Sequence, residues 1–501
     1  MLIDARELTN DHIVEADICI VGAGAVGIAM ALEFDGTGTD VAVMESGGLD
    51  YDPVTQSLYE GEHVGRPTYP LETNRLRFFG GTTNHWAGHC RPFDAFDFSE
   101  REWIPHSGWP ITIDELEPYL ARSQPIMDLG EYDYDSLDEY ARQLGLQTLP
   151  LDGKRLISVL KHQSPPTRFG TAYRDALKRS SNVSVYLHSN VLELHTNETA
   201  SHVKSAEVAC IDGPRYRVEA KQFVLATGGL ENPRLMLLSN STAPDGLGND
   251  RGLVGRFYTD HLLIRPAMDV SLSRTDLDFR LYTSLHEING GLVFGIMTPP
   301  AELTRQEKLT RFRFHLYNLG PGYDKPVGGV FSDLDGSPEV APINRDAGAH
   351  IQVHMAMEPM PNPDAFVRLS TDEDERDLFG QPRLEVNWVV TERELANAHR
   401  AIEIGALEFG RMGIGRAYAP ILEKPDEWPD AFTSGKHHCG TTRMADNPGK
   451  GVVDRNCKVF DVDNLYVTGS SVFPCIGHTN PTLNLVALSL RLADHLKEKL
   501  A

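Results

Sequence analysis

Residues 17–45 read DICIVGAGAVGIAMALEFDGTGTDVAVME, and the order of residue types in this stretch decides the fold. Residues 18–21 form a short apolar run rich in β-branched side chains, the pattern of a strand buried on both faces of a parallel sheet. Gly22, Gly24 and Gly27 follow as G-x-G-x-x-G. The first glycine permits the tight turn, the second lets the backbone approach a pyrophosphate, and the third lets the next helix pack closely on the strand. That helix presents its N-terminal amides to the phosphates. A second apolar run, 41–44, ends at Glu45, 18 residues after Gly27, where a carboxylate accepts hydrogen bonds from a ribose 2′-hydroxyl. Three glycines alone are a weak signal and can mark a turn that binds nothing. Strand, glycines, helix, strand and acid in that order predict dinucleotide binding, and an acid after the second strand suits FAD or NAD better than NADP.

Around this motif the chain is long and acidic. Its 501 residues correspond to about three domain-sized units of roughly 150 residues. Lys and Arg number 47 against 71 Asp and Glu, a formal charge of −24. Such a field repels phosphate backbones and anionic lipid, which argues against nucleic-acid and membrane partners. It also makes a neutral or cationic substrate easier to accept than an acidic sugar. The six cysteines are far apart with no CxxC pair and read as reduced thiols. Residues 18–32 carry no charge but are too few to span a bilayer, and the sixteen residues before Asp17 are too charged for a signal peptide. A cytoplasmic protein is expected.

The middle of the chain supplies landmarks. Thr112 with Glu115 and Thr391 with Glu394 read as capping boxes that open helices, the second carrying Leu395, Ala398, Ile402 and Phe409 at helical spacing. Strands are expected at 183–194 and from Lys221, the latter ending in a small-residue turn before a helix from about Asn232. Two strand-like stretches between Val367 and Trp388 flank the acidic turn TDEDERDLFG, which lacks calcium-loop spacing. The Pro- and Gly-rich stretch 320–342 reads as a long irregular loop over a site.

Three segments carry the chemistry. RLRFFGGTTNHWAGHCRP, 75–92, combines Gly80 and Gly81, which let the backbone lie flat on a ligand, with the hydroxyls of Thr82 and Thr83 and an Asn84-His85-Trp86 triplet. Burying so many polar groups in a purely structural turn is costly, which favours a ligand-facing loop. KHHCGTTRM, 436–444, holds His437, His438 and Cys439, but neighbouring residues seldom converge on one ion and no distant CxxC or HxxxH joins them, so no metal is expected. In NLYVTGSSVFPCIGHTNPTLNLVALSLRLADHL, 464–496, a strand and the Gly469-Ser470-Ser471 turn precede Asn480 and Pro481. These read as an N-cap and first helical residue, with Leu483, Val486 and Leu490 on one apolar face. A ligand that becomes anionic on reduction is stabilised at such a helix start.

Together GAGAVG with Glu45, FFGGTTNHWAG, VLATGGLENPRLML and the two C-terminal segments resemble the glucose-methanol-choline (GMC) flavoprotein oxidoreductases. The sugar-oxidising branch is most similar: pyranose 2-oxidase, bacterial pyranose and C-glycoside 3-oxidases, and fructose and gluconate dehydrogenase flavoprotein subunits. SPPTRFGTAYRDAL from Ser164 and MEPMPNPDAFVRL from Met357 resemble that branch too, so the likeness runs from residue 17 to 496. It implies FAD, contacted by Gly22, Gly24, Ala25, Gly27, Glu45, Ser46 and Arg77. The same likeness adds the loop residues Gly80, Gly81, Thr82, Asn84, His85, Trp86 and Ala87, then Val191, Ala226, Gly228, Gly469 and Ser470, with Pro481 and Thr482 at the flavin pyrimidine. It implies a catalytic histidine three positions before G-T-x-R-M, at His437 rather than His438, and a second catalytic position at Asn480.

The residue chemistry agrees. His437 can accept a hydroxyl proton while the carbinol hydrogen leaves as hydride to flavin N5, and Asn480 can orient the same oxygen; the alternative is that His437 is structural. In fungal pyranose 2-oxidase the histidine at the place of His85 is bonded to FAD, whereas fructose dehydrogenase-like subunits share His-Trp without the bond. Non-covalent FAD is therefore expected in preference to a link through His85. Ala87 stands where pyranose 2-oxidase has a hydroxyl residue, which leaves dioxygen, a quinone or a cytochrome open as the acceptor.

The expected fold is α/β (mixed α+β): a discontinuous Rossmann-like FAD-binding domain (1–110, 183–256 and 433–501), connecting helices (111–182), and an inserted substrate-binding domain with a mainly antiparallel sheet (257–432). GLVGRFYTDHL, ending at Leu262, reads as the crossover. The expected function is FAD-dependent oxidation of a secondary hydroxyl, C2 or C3, of a pyranose or glycoside to a ketone. Rivals are a primary-alcohol oxidase acting on an aminosugar or aromatic alcohol, and a non-catalytic flavin electron-transfer subunit. Glu358 is expected in the substrate cavity, where a carboxylate could bind sugar hydroxyls, with a surface ion pair as the equal alternative.

Overall fold

The glycine-motif strand, Ile13–Val21, sits at the centre of an eight-stranded sheet in a computed structural model that describes residues 1–274, 276–318 and 350–501. Its last four residues are fully buried, as the apolar run predicts, while its first residues alternate toward solvent along the full-length pairing with Arg215–Leu225. The parallel part of the sheet runs Leu2–Asp4, Val183–Leu187, Val41–Met44, Ile13–Val21, Arg215–Leu225, Leu465–Val467. Val203–Ala209 and Asn190–Thr196 extend it as an antiparallel pair from the first half of Arg215–Leu225. Helix Ala25–Phe34 follows the glycine turn and is buried on almost every side. Gly27 makes that contact possible: a Cβ there would lie 1.9 Å from the Gly22 carbonyl oxygen. Gly22 itself adopts φ 103°, a conformation glycine takes at little cost.

A second, nine-stranded sheet is antiparallel throughout. Its main path runs Gly415–Tyr418, Leu262–Leu272, His350–Met357, Phe312–Asn318, Gly291–Thr298, Ile157–Gln163, His89–Cys90, with His286–Ile288 and Phe432–Ser434 attached. One face packs against helix Glu392–Met412, whose Leu395, Ala398, Ile402 and Phe409 are buried as their spacing predicts. Gly405 lets the helix approach Phe314, since a Cβ would meet that ring at 2.9 Å. Thr391 and Glu394 cap the helix reciprocally, as do Thr112 and Glu115 the helix Ile113–Ile126; such a cap contributes about 1 kcal/mol. Phe366–Leu369 and Leu384–Asn387 flank the acidic turn and pair with each other, and Leu384–Asn387 also pairs with Gly61–His63 in a small third sheet.

Four sequence expectations are corrected. The stretch 111–182 is not only helical, because Ile157–Gln163 lies inside the second sheet. The helix after the Lys221 strand starts at Gly228, not Asn232, and Asn232 instead accepts from Thr227 across the turn. The last helix is Thr482–Leu500, and the Asn480 side chain is spent elsewhere than on capping it. Glu358 is buried against Arg101 in a two-point ion pair at 2.5 and 2.8 Å, outside the cavity lining. Its oxygens also accept from the Arg311 and Gly477 amides, so no capacity is left for a ligand. The loop expected at 320–342 lies outside the described residues. All six cysteines are buried and free, and no helix among the described residues is long and apolar enough to cross a membrane.

Candidate active site

A cavity of about 1160 Å³ opens between the two sheets, larger than the ~300–1,000 Å³ typical of a single small-ligand pocket. Its floor is the carboxyl edge of the parallel strands, the place where open α/β sheets bind ligands. Gly22, Gly24 and Ala25 line it beside the start of helix Ala25–Phe34, which no side chain caps, so its amides are available. A Cβ at Gly24 would meet nothing within 4 Å, whereas one at Gly81 would meet the Gly24 Cα at 3.0 Å. Glu45 and Ser46 follow on the next strand. Burial pushes the Glu45 carboxyl up, while the Ala23 and Gly47 amides donate to its two oxygens at 3.0 and 2.9 Å and fix its orientation.

Arginines close this end. Glu231 accepts from Arg75 at 2.8 Å and Arg77 at 3.3 Å, and Arg234 lies 3.5 Å away. Burial opposes ionisation of Glu231, but Arg234, Arg75 and Arg77 hold its pKa down to about 2. Arg77 Nε is buried without a partner among the described residues. An exposed glycine cradle, uncapped amides and an orphaned guanidinium nitrogen fit the diphosphate of a dinucleotide.

Thr82, His85, Trp86 and Ala87 line the middle of the cavity, as do Val191, Ala226, Gly228, Gly469, Ser470, Pro481 and Thr482. Gly27, Gly80 and Asn84 do not; they shape the backbone that does. Gly80 sits at φ 95° against the Gly170 backbone, and Asn84 Nδ2 donates to the Phe79 carbonyl. The loop is strapped by segment 163–169: Arg168 donates to the Thr83 and Trp86 carbonyls at 2.9 Å, and the Trp86 indole to the Thr167 carbonyl at 2.9 Å. Burial, reinforced by Lys436 and Arg168, lowers His85 to a pKa of about 4.

At the far end His437 and Asn480 meet. His437 Nε2 and Asn480 Nδ2 are 3.2 Å apart, and His437 Nδ1 and His261 Nδ1 are 2.9 Å apart. His261 Nε2 lies 3.0 Å from the Gly477 carbonyl, which can only accept. His261 therefore carries its proton on Nε2 and offers a bare Nδ1. His437 must then donate from Nδ1, which leaves its Nε2 unprotonated and accepting from Asn480. Asn480 cannot be reversed, because Lys161 Nζ (2.6 Å) and Arg313 Nη2 (3.1 Å) both donate to its Oδ1. Asp260 completes the grip by accepting from the His437 amide at 2.8 Å and the Gly435 amide at 3.1 Å. Burial first, then His261 and the cations Arg313, Arg265 and Lys161, hold His437 well below the usual histidine range. His437 is thus a neutral imidazole of one tautomer, aimed at the cavity.

The sequence reading missed His261, Lys161 and the roof. In strand Phe312–Asn318, Phe312, Phe314 and Leu316 enter the core while Arg313, His315 and Tyr317 line the cavity. The alternation R-F-R-F-H-L-Y over 311–317 was the available signal. Among the described residues one grouping could hold a metal, Glu193, His195 and Glu207. It lies on the other sheet with its acids engaged by the Ser241 amide and by Arg215.

Comparison with known proteins places these features. The FAD dependent oxidoreductase family model matches residues 17–384, and the GMC oxidoreductase model matches 361–489. The chain is 26% identical to 2-methyl-1,2-propanediol dehydrogenase of Mycolicibacterium austroafricanum, covering 97% of this chain and 96% of that protein. It is 23% identical to the fructose dehydrogenase large subunit of Gluconobacter japonicus, covering 97% and 98%. Among solved structures, pyridoxine 4-oxidase from Mesorbium loti matches with a TM-score of 0.63 at 19% identity, covering 96% of this chain and 99% of that one, a likeness of fold.

Proposed function

Because this chain belongs to the FAD-dependent oxidoreductases, and to the GMC type among them, we propose that it oxidises a secondary hydroxyl of a pyranose or glycoside, at C2 or C3, to a ketone, with His437 as the base. When bound, FAD supplies at N5 the acceptor for the hydride that leaves the carbinol carbon. Gly22, Gly24 and Ala25 would hold its diphosphate, Glu45 its ribose, and the 80–87 loop with Pro481 and Thr482 its flavin, without a covalent bond to His85. Likeness to a fructose dehydrogenase subunit supports a sugar as substrate.

The observation that carries the reading is the directed hydrogen-bond chain at His437. A base must be unprotonated at the atom that meets the substrate, and the chain delivers that at Nε2. As Nε2 takes the hydroxyl proton it gives up the bond from Asn480 Nδ2, while the Nδ1 bond to His261 stays in place and bears part of the new charge. Asn480, its oxygen held by Lys161 and Arg313, has a second N–H free to orient the same substrate oxygen.

The test is steady-state turnover of glucose, methyl glycosides, an aminoglycoside and a benzylic alcohol, with dioxygen and a quinone as alternative acceptors, followed by NMR of the product. A ketone on the sugar ring is expected. Turnover confined to primary alcohols, or none on any sugar, would overturn the reading.

A further inference from the structure

We propose that the substrate of this site is an acid, a sugar or hydroxy acid whose carboxylate is received by Arg313 on the roof of the cavity. The proposal rests on the oxidation reading above and names the class of substrate that reading leaves open.

Arg313 is 4% exposed, yet lines the cavity. Its Nη2 reaches Asn480 and its Nε donates to His315 Nε2 at 3.1 Å, but Nη1 is buried without a partner among the described residues. Arg265 lines the same wall, and Lys161, fully buried, stands behind Asn480. Arg265 and the Tyr317 phenol shift Arg313, and Arg313 in turn acts on Lys161, His261, His315 and His437; no carboxylate of the described residues bears on it. Burial, with Arg265 adding to it, pushes the guanidinium down to about 9, still charged at neutral pH. Among the described residues the acids that line the cavity are Glu45, Glu231 and Asp430. Glu45 is bound by backbone amides and Glu231 by arginines at the nucleotide end, and Asp430 does not bear on Arg313.

A guanidinium set in a dry wall, lining the cavity and with one N–H left unused, is a receptor for an anion. A planar carboxylate matches a guanidinium edge better than any hydroxyl does. The proximity to Asn480 sets the range: the carboxylate sits within a few atoms of the carbon that is oxidised. An anion there would also cancel part of the positive field that lowers His437, so a correctly charged substrate would strengthen the base that takes its proton. The chain's overall negative charge, which favoured a neutral or cationic substrate, is not the charge of this wall.

The test uses the FAD-loaded enzyme and the pair methyl α-D-glucopyranoside and methyl α-D-glucopyranosiduronate, which differ at C6 as CH2OH against COO−, with D-gluconate and glucose 6-phosphate as further arms. A carboxylate substrate is expected to exceed its neutral partner in kcat/KM by roughly 10-fold or more. In Arg313→Gln that ratio should collapse toward one, whereas damage to folding or to Asn480 would lower both substrates equally and leave it unchanged. A binding arm needs no turnover: benzoate should shift the flavin absorbance at concentrations at which benzamide does not. An unchanged ratio in the variant, equal binding of benzoate and benzamide, or preference for the phosphate ester overturns the proposal. Oxidation of the glucoside but not the uronate sinks this inference and spares the proposed function. Benzoate binding without turnover of any sugar does the reverse.

Discussion

The two ends of the cavity are built on different principles. The nucleotide end is mostly backbone: the turn at Gly22, the open face of Gly24, uncapped amides, and one acid held by two more amides. The substrate end is almost wholly side chain, a relay from Lys161 and Arg313 through Asn480 and His437 to His261. Backbone sites bind through shape and fixed dipoles and tolerate little change in residue size. Side-chain sites depend on proton positions, and they fail when one donor or acceptor is reversed.

That contrast can be broken most forcefully at His437. His437→Ala is expected to lower flavin reduction by about 10²–10⁴-fold while flavin content stays at the wild-type level, measured by stopped-flow and visible absorbance. Unchanged reduction would hand the molecule to the electron-transfer reading.

The relay is tested next at His261. Its loss in His261→Leu should cost about 10- to 100-fold in kcat/KM, by analogy with the loss of the partner that orients a metal-bound imidazole, and should shift the pH profile. His261→Gln, which still offers an oxygen to His437 Nδ1–H, should recover much of it. Equal loss in both variants with an unmoved pH profile would make His261 merely structural. At the opposite end Glu45→Gln should weaken FAD binding by about 10-fold, as for a weakened charge-assisted bond, and leave kcat of the loaded enzyme alone.

The smallest effect expected is one of pH. His437 titrates well below the usual histidine range in the free enzyme, so it remains a competent base as pH falls through about 6.5, where a free imidazole would protonate. With a neutral substrate kcat/KM should therefore stay level from pH 8 to 6. A half-loss near 6.5 would show an imidazole that the surrounding cations do not suppress.

The same division explains what was readable in the residues. A backbone site needs glycine at fixed spacing and small residues at turns, so 22–27, 80–88 and 469 announce themselves in order along the chain. His437 and Asn480 could be placed because each sits beside such a turn. His261 and Lys161 could not, since each acts only through residues more than 170 positions away. Arg313, His315 and Tyr317 were visible as one face of an alternating strand, but which face meets the cavity is set by pairing with His350–Met357. Glu358 shows the converse error. A carboxylate near the cavity could be read from its neighbourhood, but the partner that consumes it, Arg101, lies 257 residues away. Asn480 likewise read as a helix cap from its neighbour Pro481, and long-range donors claimed it instead.

The relay also ends somewhere. Beyond His261 lies the Gly477 carbonyl, which has no proton to give and cannot keep one. A proton captured at His437 Nε2 would therefore find no acceptor at the His261 end of the relay, so its return to water would lie on the cavity side.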